Sequence, residues 1–157
     1  MANLSPPTSA RVPASTAAEV NARIRRRAEE RIARLADATP AARAAHLREL
    51  EREWDIERTL QANAGTLALL GTALGAFVDR RFLALPLAVF AFFGQHALQG
   101  WCPPVPLFRR RGVRTRQEIE RERHAVKVLR RDFDAVPARD AAVPAERVRA
   151  ALAAVDR

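Results

Sequence analysis

From Leu60 to Phe108 the chain carries only three charged side chains, and they are consecutive: Asp79, Arg80 and Arg81. They separate a 19-residue run without ionisable charge, Leu60 to Val78, from a 27-residue run, Phe82 to Phe108, whose one titratable group besides Cys102 is His96. A helix of 19 residues rises ~28 Å at ~1.5 Å per residue, close to the ~30 Å hydrocarbon core of a bilayer. Two such runs joined by a three-residue charged turn predict antiparallel neighbouring helices. The alternative is the buried hairpin of a soluble bundle, which requires flanks able to cover two helices that are apolar on every side. The flanks offer only narrow apolar stripes among Arg and Glu, such as Val20, Ile24, Ile32 and Leu35. The expected fold class is therefore all-α: a two-helix transmembrane hairpin with cytoplasmic amphipathic helices on both sides.

The boundaries follow from composition. Residues 1–14, with three prolines, are expected to be disordered. Residues 15–59 form a cytoplasmic helical region, residues 60–108 the hairpin, and residues 109–157 a basic cytoplasmic helical tail. The hairpin helices are placed at about 60–78 and 82–101, with the turn at 79–81. Gln61, Asn63, Thr66 and three glycines leave the first helix only moderately hydrophobic, so it is expected to insert together with the second. Thr16 with Glu19 and Thr115 with Glu118 read as capping boxes, and Thr39-Pro40 as an N-cap followed by proline at the first helical position. No Gly or Pro interrupts the chain between Pro40 and Gly65, so one helix is expected to run through this stretch toward the membrane.

Net charge is +9, and all but one of the 27 basic residues are arginine, Lys127 being the exception. Arg109, Arg110 and Arg111 follow the second run, and Arg48, Arg52 and Arg58 precede the first. The turn has only two basic residues, which places both termini in the cytoplasm by the positive-inside rule. Trp54 and Trp101 flank the runs at the same expected interface. No apolar secretory segment opens the sequence, so export is not expected. Anionic lipid is the expected partner of Arg109, Arg110 and Arg111. Nucleic acid is not, because Glu118, Glu120, Glu122 and Asp132 interrupt the basic tail. The alternative reading remains a soluble, Arg-rich helical oligomer that binds nucleic acid.

Four features carry candidate chemistry. Gly71 and Gly75 make a GxxxG pair suited to close helix packing within the hairpin, with Ala84 and Ala88 opposite, or to homodimerisation. Asn63, Gln95, His96 and Gln99 fall at one depth and are expected to form an interhelical polar cluster. Cys102, beside three prolines that stop the second helix, is either an inert apolar residue or a reactive thiol. The amphipathic helices could recruit a cytoplasmic protein. No phosphate loop, nucleophile elbow or metal-binding motif is present, so neither enzyme activity, cofactor nor metal is expected.

Glu57-Arg58 ahead of a Gly-containing apolar helix, a short turn, a second apolar helix and then Gly100-x-Cys102-Pro103 together resemble the YgaP-like transmembrane domain family. The resemblance covers about residues 57–112. It implies a self-associating helical hairpin in the bacterial inner membrane, and a link to sulfur metabolism, because in the family's namesake the hairpin follows a rhodanese domain. Residues 1–56 are read as helical and contain no cysteine, so sulfurtransferase activity does not carry over.

Overall fold

The computed structural model describes residues 7–138 and 143–156. Every regular element among them is helical: α1 (Arg11–Ala14), α2 (Ala18–Ala36), α3 (Pro40–Arg52), α4 (Ile56–Phe77), α5 (Ala84–Gln99), α6 (Pro104–Arg110), α7 (Arg116–Leu129) and α8 (Pro144–Asp156). Short 3₁₀ turns occupy Thr8–Ala10 and Arg80–Leu83. The chain divides into two compact units, one formed by Met1–Arg26 and Trp54–Ile119, the other by Arg27–Glu53 and Glu120–Arg157. The units thus do not follow the consecutive blocks 15–59, 60–108 and 109–157, because each flank contributes to both.

In the first unit, α4 opens where Asp55 adopts extended backbone and its carboxylate accepts the Arg58 N–H at 2.7 Å. This N-cap separates α4 from α3 and corrects the expectation of one continuous helix from Pro40. An aspartate cap breaks a helix without needing Gly or Pro. The other end of the hairpin is closed by Asp79, which accepts the Arg81 N–H at 2.8 Å and starts the 3₁₀ turn into α5. α5 ends at Gly100, whose φ of 73° is left-handed and whose N–H returns to the His96 carbonyl. A Cβ on Gly100 would lie 2.5 Å from the Arg11 carbonyl carbon, so glycine is required here on two counts.

That approach reveals a role for the N-terminal segment. Arg11 donates to the Ala97 carbonyl, and Ser15 Oγ donates to that of Gln99 at 3.2 Å, which satisfies open carbonyls at the end of α5. Val12 is buried in a core with Ile56, Leu60, Cys102 and Val105, with Phe108 and Val113 packed against it. The expectation of disorder over residues 1–14 is therefore corrected for the described part. Pro7 precedes the first helical turn and Pro13 lies within the four-residue α1, where a missing N–H costs little. Residues 1–6 lie outside the described residues.

The three prolines after Cys102 likewise start a helix rather than only ending one. Pro103 is the N-cap of α6, and Pro104 and Pro106 fall in its first turn, where no intrahelical N–H is needed. Thr16 does not cap α2, which begins at Ala18, two residues further on, and its hydroxyl donates to the Val12 carbonyl. Thr39 does cap α3, accepting the Ala42 N–H at 3.2 Å. Ahead of α7 both capping-box bonds are present: the Glu118 N–H to Thr115 Oγ1, and the Thr115 N–H to Glu118 Oε2.

The second unit is held by charged groups drawn inward. Glu122 is 1% exposed and receives both Nε and Nη2 of Arg31, at 2.8 and 2.7 Å, and faces His46 Nε2 at 2.9 Å. Arg43 donates to the Leu35 and Ala36 carbonyls at the end of α2 and to the Leu129 carbonyl at the end of α7. Lys127 donates to the Val155 carbonyl on α8. Leu47, Leu50, Val126 and Ala154 supply the buried apolar part.

Candidate functional site

The helical hairpin α4–α5 is the part of the first unit where large apolar side chains are most exposed. Leu69, Leu70, Phe77, Val78, Leu87, Phe90 and Leu98 are all exposed, Phe77 by 88% and Leu98 by 77%. One helix among the described residues, Arg80–Gln99, is long and apolar enough to cross a membrane, and only 11% of its apolar window is buried. A core helix of a soluble protein would be mostly covered. α4 does not meet the same criterion. Its polar Gln61, Asn63, Thr66 and Thr72, together with its glycines, dilute the leucines, so the first of the two expected spans is not apolar enough by itself.

The two helices meet through the glycines. A Cβ at Gly71 would lie 2.6 Å from Pro86 Cδ and 3.0 Å from Leu85 Cβ, and one at Gly75 would lie 2.5 Å from Leu83 Cδ2. The surface opposite is thus Leu83, Leu85 and Pro86, not Ala84 and Ala88. The glycine face is occupied within the chain by Leu83, Leu85 and Pro86.

The expected polar cluster assembles differently. His96 is 4% exposed and its Nε2 lies 3.0 Å from Glu57 Oε2, linking the last turn of α5 to the first turn of α4. Gln95 and Gln99 pair with each other at 3.4 Å along the outside of α5. Asn63 joins neither group and instead lines a cleft. The partner of His96, Glu57, lies just before the uncharged run that begins at Leu60 and carries Asn63. His96 Nδ1 remains buried without a hydrogen-bond partner.

The cleft, about 240 Å³ in volume, lies between α4 and α5 and is also lined by Cys102, Pro103 and Pro104. Leu60, Leu67, Val89 and Phe92 are among its walls, and nearly all of its surface is apolar. Burial pushes the Cys102 thiol up from its ordinary value of 9.0. Cys102 packs in the buried core with Val12, Ile56, Leu60 and Val105.

The basic cluster divides in two. Arg109 is 0% exposed, and its guanidinium makes paired bonds to Glu118 at 2.7 and 2.8 Å. It also donates to Asn21 Oδ1 at 2.8 Å and the Val113 carbonyl at 3.0 Å. The expectation that Arg109 meets lipid head groups is corrected: buried and neutralised, it joins α2, α6 and the start of α7. Arg110 and Arg111 are exposed. Burial works against ionisation of Glu118, but the hydrogen bonds from Arg109 and Thr115 outweigh it and hold the carboxyl below its ordinary 4.5. Near the base of α4, the Arg58 guanidinium lies 4.2 Å from the centroid of the exposed Trp54 ring, a cation–π contact.

No group of three or more His, Cys, Asp or Glu side chains among the described residues could hold a metal ion. Compared with known proteins, the chain matches no family model, no curated protein and no solved structure.

Proposed function

We propose that the chain is a small integral protein of the bacterial inner membrane, in which α4 and α5 insert as a hairpin and both termini face the cytoplasm. Its role is structural or accessory: the hairpin anchors amphipathic, Arg-rich helices that recruit a cytoplasmic partner. The observation that carries the reading is the exposed apolar surface of the hairpin, rimmed at one end by Trp54, Trp101, Arg110 and Arg111. Contiguous apolar surface of this extent in a monomer marks an interaction site, and tryptophan with arginine at one rim suits a membrane interface. α4, too polar to insert alone, enters with its glycine face covered by the turn and the start of α5. The resemblance of the Gly100-x-Cys102-Pro103 element to the YgaP-like transmembrane domains supports this reading, with Cys102 as a packing residue at the helix end.

The test is fractionation of bacteria expressing the protein. It should stay in the pellet after an alkaline carbonate wash and be released by detergent. Release by carbonate as a folded species would overturn the proposal and turn attention to a soluble oligomer with affinity for nucleic acid.

A further inference from the structure

The cleft between α4 and α5 is more specific than the apolar surface around it. At about 240 Å³ it is smaller than the ~300–1,000 Å³ typical of a cofactor or drug-sized ligand. Its chemistry is also ordered along its length. At the end lined by Cys102, Pro103 and Pro104 it holds one amide, that of Asn63, and beyond this the walls from Leu67 to Phe92 are hydrocarbon. Pro104 opens α6, a seven-residue helix about 10 Å long that ends in the exposed Arg110 and is followed by the exposed Arg111. A narrow apolar slot, a hydrogen-bond donor at its mouth and cationic groups beyond follow the order of an acyl tail, an ester and a phosphate.

From this order we propose that the cleft seats one acyl chain of an anionic phospholipid, with the Asn63 amide donating to the ester carbonyl and Arg110 and Arg111 facing the phosphate. The proposal rests on insertion of the hairpin, since only then do lipid chains reach the cleft. It distinguishes the cleft from Leu69, Leu70 and Leu87, which meet bulk lipid without selecting it. Arg109 takes no part, because Glu118 already neutralises it.

The protein reconstituted into phosphatidylglycerol vesicles, with a trace of phosphatidylglycerol carrying a diazirine in the middle of one chain, provides the test. Irradiation and peptide mapping should give adducts on cleft residues at least about fivefold above those on the outer face. Ala88→Phe, which adds a ring inside the cleft, should remove that excess, whereas Leu87→Phe on the outer face should not. Arg110→Gln with Arg111→Gln should lower the preference for phosphatidylglycerol over phosphatidylcholine probes. Equal labelling of cleft and outer face would overturn the lipid site while leaving insertion intact. A second copy of the chain crosslinked into the cleft would overturn it as well. Failure of the protein to enter vesicles at all would instead strike the membrane reading on which it rests.

Discussion

The hairpin and the second unit are built on opposite solvation schemes. On α4 and α5 leucine, valine and phenylalanine point outward, and the one buried titratable side chain is His96, matched to Glu57. In the second unit Glu122, Lys127 and Asp132 are buried, while Val148 and Leu152 on α8 are exposed. Each arrangement follows from what the surroundings can supply. In water, a charge goes inside only when partners replace its hydration, as Arg31 and His46 do for Glu122. Among lipid tails, an outward leucine costs nothing and helix contact depends on close packing, as Gly71 against Pro86 provides. The difference is the one expected if, as proposed, the hairpin lies among lipid tails while the second unit lies in water.

The largest effect is expected where that contrast is broken in the second unit. Glu122→Ala leaves Arg31 and His46 facing an uncompensated cavity and should cost about 3–5 kcal/mol, read as a fall in the urea midpoint. On the hairpin, Leu87→Asp sharpens the comparison, because its sign depends on the solvent. In a bilayer an aspartate near the helix centre should oppose insertion by about 2.5–3.5 kcal/mol and shift protein into the carbonate-soluble fraction. In water the same exposed substitution would stay within about 0.5 kcal/mol.

Smaller effects separate the two glycines. Crowding costs about 1–3 kcal/mol, against a gain of about 1 kcal/mol in helix propensity on replacing glycine by alanine. Gly71→Ala meets the rigid Pro86 ring and should destabilise by about 1 kcal/mol, whereas Gly75→Ala meets the end of Leu83, which can turn, and should be near neutral. Thermal unfolding in detergent of both variants would rank them.

The smallest effect is one of pH. Because the Glu118 carboxyl is held low in the folded protein, its contribution is fully present above its ordinary value of 4.5 and is lost as pH falls through the lower folded value. Glu118→Gln should therefore flatten the loss of thermal stability below about pH 4.5. An acid limb that is unchanged in the variant would remove Glu118 as its cause.

Legibility in the sequence tracked the distance between partners. The Thr115–Glu118 capping box spans three residues, so its pattern was visible, and so was the glycine spacing on α4. The break at Asp55 was readable in principle, as an aspartate three residues before Arg58, but the absence of Gly and Pro concealed it. Glu122 with Arg31 and His46, and Arg109 with Asn21, join residues 76–91 positions apart. No local period encodes such pairs. Arg109 shows the consequence: Arg109-Arg110-Arg111 is uniform in sequence, and it is Glu118, Asn21 and the Val113 carbonyl that hold Arg109 inward. At the candidate site, the apolar helices and Cys102 at a helix end were legible. The pairing of His96 with Glu57 was not, because Glu57 lies outside the uncharged run.

The central claim, that the α4–α5 turn lies across a membrane from both termini, is tested most directly by thiol labelling in intact bacteria. Val78→Cys places a cysteine at the exposed turn, and Gln117→Cys places one at the start of α7. The buried Cys102 serves as the background measured in the parent protein. With a maleimide that does not cross the inner membrane, the account predicts labelling at position 78 in intact cells and at position 117 only after lysis. Labelling of both positions only after lysis, with the protein in the soluble fraction, would contradict it.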